Sequence, residues 1–143
     1  SDVRVGILLE EICVLYKKDL KNIKVHIAVQ PQDLIIRADK DQIEQVLINL
    51  LQNAIHALEE EEDRAISLTG GHTKDGRPFL SVSDNGPGIE QEALERIFIP
   101  FFTTKKRGSG IGLSLSRQIM RQHQGTISVK TVENEGTEFI LRF

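Results

Sequence analysis

Two asparagines four positions apart, Asn49 and Asn53, and two glycine-rich stretches, DNGPGI at 84–89 and GSGIGL at 108–113, have the residue types and spacing to do chemistry. On a 3.6-residue wheel Gln45, Asn49, Gln52, Asn53 and His56 gather on one side of a helical pattern. Two readings of that side stand: a polar outer face in which amides replace charges, or an amide carbonyl that supplies one oxygen to Mg2+. That ion keeps several waters and takes few protein ligands beside phosphates. DNGPGI follows a strand pattern, so Asp84 falls at a strand end, and Gly86 and Gly88 can take backbone angles closed to other residues. A tight turn accounts for D-N-G alone. Two glycines around a proline make a broader loop, which lets a flat ligand approach the backbone while an ionised Asp84 accepts a hydrogen bond from an exocyclic amine.

GSGIGL precedes an apolar helical pattern, so its amide groups and the positive end of a helix dipole suit phosphate oxygens. It is not a Walker A loop, because no Gly-Lys-Ser/Thr follows, and no strand leads into it as a dinucleotide fingerprint requires. The β-strand Lys, HRD and DFG set of protein kinases is also missing. Lys105, Lys106 and Arg107, just upstream, concentrate positive charge, although three basic residues are also ordinary solvated surface. IFIPFF at 97–102 places Phe98, Phe101 and Phe102 around Pro100, and these are read as exposed side chains that anchor a loop.

The elements that must position these residues can be read from periodicity. Val5, Leu8, Leu9, Ile12 and Leu15 predict an amphipathic helix over 3–20, and Ile43, Val46, Leu47, Leu50, Leu51, Ala54 and Leu58 form the apolar stripe of a second, starting near Asp41. IKVHIAV at 23–29 and DLIIRA at 33–38 are strand candidates, AISLTGGH and FLSVSD pair around the KDGRP turn, and TISVKTVENEGTEFILRF reads as a closing hairpin. A third helix is expected from about Gly110 to Gln124. Strands paired mainly through turns, with helices gathered elsewhere, predict an α+β two-layer sandwich. The expected sheet is mixed, mostly antiparallel, of about five strands, covered on one face by three helices.

The 143 residues, without a dividing Pro/Gly/Ser-rich stretch, are read as one domain. A composition of 39% hydrophobic and 27% charged residues is that of a globular protein, and no apolar run reaches the roughly 18–20 residues of a membrane span. The expectation is a cytoplasmic chain with neither a span nor a signal peptide. A net charge of −3 and few aromatic residues give no case for nucleic acid. Cys13, the single cysteine, sits among apolar residues and is read as a small core residue.

Taken in order, these stretches resemble the ATP-binding catalytic domain of bacterial sensor histidine kinases, within the GHKL ATPase superfamily. NLLQNA at 49–54 looks like its N box, DNGPGI its G1 box, FIPFFTTK at 98–105 its F box and GSGIGL its G2 box, and GTEF at 136–139 also fits. The resemblance implies that both glycine stretches flank one nucleotide, with a mobile lid between them. It implies ATP and Mg2+ as ligands: Asn53 coordinating the metal, Asn49 ordering the phosphate region, and Asp84 accepting the adenine amine. Gly86, Gly88 and Ile89 would then form the adenine wall, and Thr137 would support Asp84. Gly108, Gly110 and Gly112, with Ile111 and Leu113, would meet the phosphates, Lys105 would reach them from the lid, and Phe98 and Phe101 would control lid position and docking.

Related ATPases carry a general-base glutamate where this chain has Asn49, and an amide cannot take a proton as glutamate can. The implied reaction is therefore transfer of the γ-phosphate to a histidine on a separate dimerisation and phosphoacceptor domain, with a response regulator downstream. An ATPase that uses its own hydrolysis and a non-catalytic interaction module are the alternatives. His26, His56, His72 and His123 lack the sequence context of a phosphoacceptor, so this chain is expected to be the catalytic part alone, monomeric and unable to phosphorylate itself.

Overall fold

The computed structural model describes residues 1–102 and 111–143. The elements run β1 (Asp2–Arg4), α1 (Val5–Leu15), β2 (Lys24–Val29), β3 (Ile35–Arg37), α2 (Lys40–Ala57), β4 (Ala65–His72), β5 (Pro78–Asp84), α3 (Gln91–Leu94), α4 (Gly112–Gln122), β6 (Thr126–Val132) and β7 (Gly136–Arg142). Five strands form one sheet in the order β2-β4-β5-β7-β6. Only β2 and β4 run parallel; the other neighbours are antiparallel. This is the mixed, mostly antiparallel sheet of an α+β sandwich that the strand patterns predict.

Alternation along the strands supplies one apolar face. Ile66 and Leu68 of β4, Leu80 and Val82 of β5, and Phe139 and Leu141 of β7 are buried, and register sets Leu68 beside Val82 and Val82 beside Phe139. The three longer helices cover this face, and their apolar stripes complete the core: Val5, Leu8, Leu9 and Ile12 of α1, the predicted stripe of α2, and Ile119 and Met120 of α4. Helix α2 is capped by Asp39, whose carboxylate accepts a hydrogen bond from the Gln42 amide at 3.2 Å. That bond satisfies one of the amides a helix start leaves without an intrahelical acceptor.

Two boundaries depart from the periodicity. The first helix is shorter than 3–20, because Asp2–Arg4 is a strand paired antiparallel with β3, and Val3, opposite Ile36, is buried by that pairing. At its other end the helix stops at Leu15, with turns carrying the chain to Leu20, which is buried in its own right. The small β1-β3 sheet lies apart from the five-stranded one, so the candidate strand at 33–38 does not extend the main sheet.

Candidate functional site

Helix α2 is the ruler of the site. Asn49, Asn53 and Ala57 fall four residues apart on one face, about 6 Å of axial rise per step. Asn49 touches the start of α4: its Nδ2 donates to the Gly112 carbonyl at 3.3 Å and to Ser116 Oγ at 3.4 Å, while its Oδ1 accepts from Gln45 Nε2 at 3.2 Å. At the other end the helix meets the DNGPG loop, where a Cβ on Gly86 would stand 2.9 Å from the Ala57 carbonyl oxygen and 3.2 Å from its Cβ. Half-buried Asn53 therefore lies between the two glycine segments, on the face that contacts both.

The loop after β5 is held from several sides. Asp84 Oδ1 accepts from the Gly86 amide at 2.9 Å, which fixes the carboxylate against its own loop. Asn85 joins the loop to β4: the Ala65 amide donates to Asn85 Oδ1 at 2.8 Å, and Asn85 Nδ2 donates to the Asp63 carbonyl at 2.9 Å. On the far side Ile89 N donates to Thr131 Oγ1 at 2.8 Å, and Asn134 N donates to the Pro87 carbonyl at 2.7 Å. Thr137 is buried, stands opposite Asp84 in register, and shares a hydrogen bond of 2.9 Å with Thr131 Oγ1.

Two glycines here have steric reasons to be glycine. Gly88 sits at φ +81°, where a Cβ would come within 2.7 Å of the Val132 carbonyl oxygen. Gly136, at φ +140°, lets β7 lie so close to β5 that a Cβ would approach the Asp84 carbonyl oxygen to 2.1 Å.

At the other glycine stretch the structure describes Ile111, Gly112 and Leu113, which open helix α4. Among the described residues no side chain caps that start at Ile111, and first-turn amides have no intrahelical acceptor, so they can donate to anionic oxygens. Lys105, Gly108 and Gly110 lie outside the described residues, as does the whole basic run of Lys105, Lys106 and Arg107. The phenylalanines of 98–102 do not behave alike. Only Phe101 is strongly exposed, at 74%, whereas Phe98 and Phe102 are half-buried against the core. The reading of all three as exposed is thus corrected: Phe98 lies under the Arg117 guanidinium, 5.1 Å from the ring centroid, an attraction that ties this segment to α4.

The side chains gathered here can be weighed as metal ligands. Among the described residues no group of three or more His, Cys, Asp or Glu side chains converges to hold a metal by itself. Asn53 could offer an ion a neutral amide oxygen, the kind of ligand Mg2+ accepts beside phosphates and water. Elsewhere, burial and then the Glu10 charge push the Cys13 thiol above its usual pKa, away from a nucleophilic thiolate. His123 Nε2 accepts from the Asp39 amide at 3.1 Å and its Nδ1 bonds to the Ile119 carbonyl at 2.9 Å, a structural bridge between α4 and the start of α2. His56 lies 3.9 Å from Glu59.

With this geometry in place, comparison with known proteins identifies the family. The sequence model of the histidine kinase-, DNA gyrase B- and HSP90-like ATPases matches residues 38–143, which spans α2 to the C-terminal strand. The chain belongs to that family. Sensor histidine kinase ZraS of Salmonella typhimurium is 42% identical over 74% of the chain and 22% of its own length. ZraS of Escherichia coli K12 is 36% identical over 97% of the chain and 30% of its own length. The chain thus spans a quarter to a third, or less, of the curated relatives it matches. Among solved structures, a nucleotide-free catalytic domain of histidine kinase ThkA superposes with a TM-score of 0.88 at 37% identity, covering 100% of this chain and 93% of that one. ThkA in complex with the response regulator protein TrrA superposes with a TM-score of 0.84 at 36% identity, covering 100% of this chain and 41% of that one.

For this member of the ATPase family, sequence reasoning missed Asn85, Thr131 and Ser116, which act through partners 20 or more residues away. Gly136 was visible only as the first residue of GTEF; its steric role depends on which strand lies beside it. The Gly136→Ala variant is expected to lose about 1–3 kcal/mol from its backbone angle, and more from the contact with Asp84, in chemical denaturation monitored by circular dichroism. An unchanged midpoint would show that β7 does not press on the Asp84 loop.

Proposed function

We propose that this chain is a single ATP-binding catalytic domain that holds magnesium ATP and presents its γ-phosphate to a histidine on a separate dimerisation and phosphoacceptor domain of a two-component kinase. The observation that carries the proposal is the position of Asn53 on α2, between a helix contact to the DNGPG loop at Ala57 and a helix contact to the start of α4 at Asn49. The relatives are sensor histidine kinases and ThkA is one whose complex holds a response regulator, which supports a regulator as the downstream partner here as well. No helix among the described residues is long and apolar enough to cross a membrane. The proposed place of work is the cytoplasm, where ATP is supplied.

Each residue then has a distinct task. Asp84, its carboxylate fixed by the Gly86 amide, accepts the exocyclic amine of adenine, with Gly86, Gly88 and Ile89 as the wall beside the ring. Thr137 and Thr131 hold that loop from β7 and β6. Asn53 offers its amide oxygen to the metal, and the amides of Gly112 and Leu113 face the phosphates with Ile111 beside them. Lys105, Gly108 and Gly110 complete the phosphate side. Bound magnesium supplies charge neutralisation at the phosphates, and positioning accounts for most of the rate in such transfers. Asn49 has no carboxylate to deprotonate water, so hydrolysis by the chain itself is slow. Exposed Phe101 offers an apolar side chain for docking to the phosphoacceptor domain.

Calorimetric titration tests the reading: ADP and ATP are expected to bind more tightly with magnesium, and a phosphate-release assay on the same sample to show negligible turnover. The Asn53→Ala variant is expected to lose the magnesium-dependent part of that affinity and to abolish transfer when a phosphoacceptor domain is added. Steady phosphate release by the wild-type chain would instead indicate a self-sufficient ATPase.

Selectivity checks the adenine assignment separately. Guanine presents an acceptor oxygen where adenine presents its amine, leaving two acceptors opposed at Asp84. GTP is expected to bind at least about tenfold more weakly than ATP, the order of one unpaired buried polar group. Equal affinities would remove Asp84 from the base-reading role.

A further inference from the structure

Ser116 is fully buried, one turn into α4, and it is polar. Its hydroxyl donates to the Gly112 carbonyl at 2.8 Å and accepts from Asn49 Nδ2 at 3.4 Å. The Gly112 carbonyl also receives Asn49 Nδ2 at 3.3 Å, so one peptide oxygen is bound by two side chains from two helices. The amide of Asn49 is fixed at its other end as well, where its oxygen accepts from Gln45 Nε2. A helix pair packed only through apolar contacts needs no such group, since an alanine at 116 would bury without any polar cost and favour the helix more.

The carbonyl that is bound belongs to the peptide plane shared by Gly112 and Leu113. In a trans peptide the C=O and N–H point in opposite directions, so fixing the Gly112 oxygen also fixes the direction of the Leu113 N–H. That N–H lies in the first turn of α4, where helix amides have no intrahelical acceptor and point out of the N-terminus. The same Asn49 that binds the Gly112 oxygen is one turn from Asn53 on the same face of α2.

We infer that Ser116 is a positioning residue for the phosphate side of the site: together with Asn49 and the Gly112 carbonyl it forms a polar latch that sets the Leu113 amide against Asn53. The inference rests on the nucleotide reading of the site. The latch requires a hydrogen-bond donor at position 49, because a carboxylate there would set acceptor against acceptor at the Gly112 oxygen. The residue that removes the general base from this chain is thus also the one that holds α4 in place.

The test is a set of chemical-shift titrations of the 143-residue chain with ADP and with adenosine in the presence of magnesium. The Ser116→Ala variant is expected to weaken ADP about fivefold to tenfold, the scale of one net hydrogen bond, and to leave adenosine within about twofold. In an Asn49→Ala background Ser116→Ala is expected to add nothing further, because the latch is already broken. Ser116→Cys, nearly isosteric but a weaker hydrogen-bonding group, is expected to give a smaller loss of ADP affinity. Equal losses for ADP and adenosine would show a general packing role and overturn the inference, as would unchanged ADP affinity or additive effects with Asn49→Ala. Failure of the wild-type chain to bind ADP at all would overturn the nucleotide reading, and the inference with it.

Discussion

Helix α2 touches both glycine segments, and the distance between those two contacts is set by the helix itself. Asn49 reaches the Gly112 carbonyl, Ala57 abuts Gly86, and eight residues of helix, about 12 Å of rise, separate them. A helix is stiff on this scale, so two loops that are more than 20 residues apart in sequence keep a fixed separation in space. The rest of the architecture serves that constraint. The sheet brings Asp84 to the end of β5, next to the C-terminal end of α2, and the buried stripe from Ile43 to Ala54 fixes the rotation of the helix that turns Asn49 and Asn53 away from the core.

The two loops are held in different ways. The DNGPG loop is tied by hydrogen bonds to β4, β6 and the turn before β7, and by the close approach of Gly136, so the chain's own contacts hold its shape. The start of α4 is joined to α2 through the side chains of Asn49 and Ser116, and to the preceding segment through the Arg117 and Phe98 pair. On the proposed function, a firmly held loop at Asp84 beside a helix start set by a few polar contacts would suit a site that admits a nucleotide and then passes on its terminal phosphate.

Much of this was legible in the sequence. The apolar stripe of α2 and the alternation of β4, β5 and β7 are strong periodic signals, and Asn49, Asn53, Asp84, Gly86, Gly88 and Gly112 are prominent because their residue types are unusual at those spacings. The parts that escaped depend on pairing between distant segments. Val3 and Val5 fit a helical pattern as well as a strand, and only the partner β3 decides for Asp2–Arg4. Thr131, Asn85 and Ser116 are ordinary residues in ordinary local contexts, made important by the backbone amides and, for Ser116, the Asn49 side chain brought to them from 20 to 67 positions away. Phe98 and Phe102 read as exposed because a loop around a proline carries no periodicity to show that they turn inward.

The central claim, that α2 spans one nucleotide held by both loops, is tested most directly by following the backbone amides of the two loops in a single titration. With magnesium ADP added stepwise, the amide resonances of Gly86, Gly88 and Ile89 and those of Ile111, Gly112 and Leu113 should move together and saturate at the same midpoint, with one equivalent bound. A response confined to one loop, or two midpoints that differ, would contradict it.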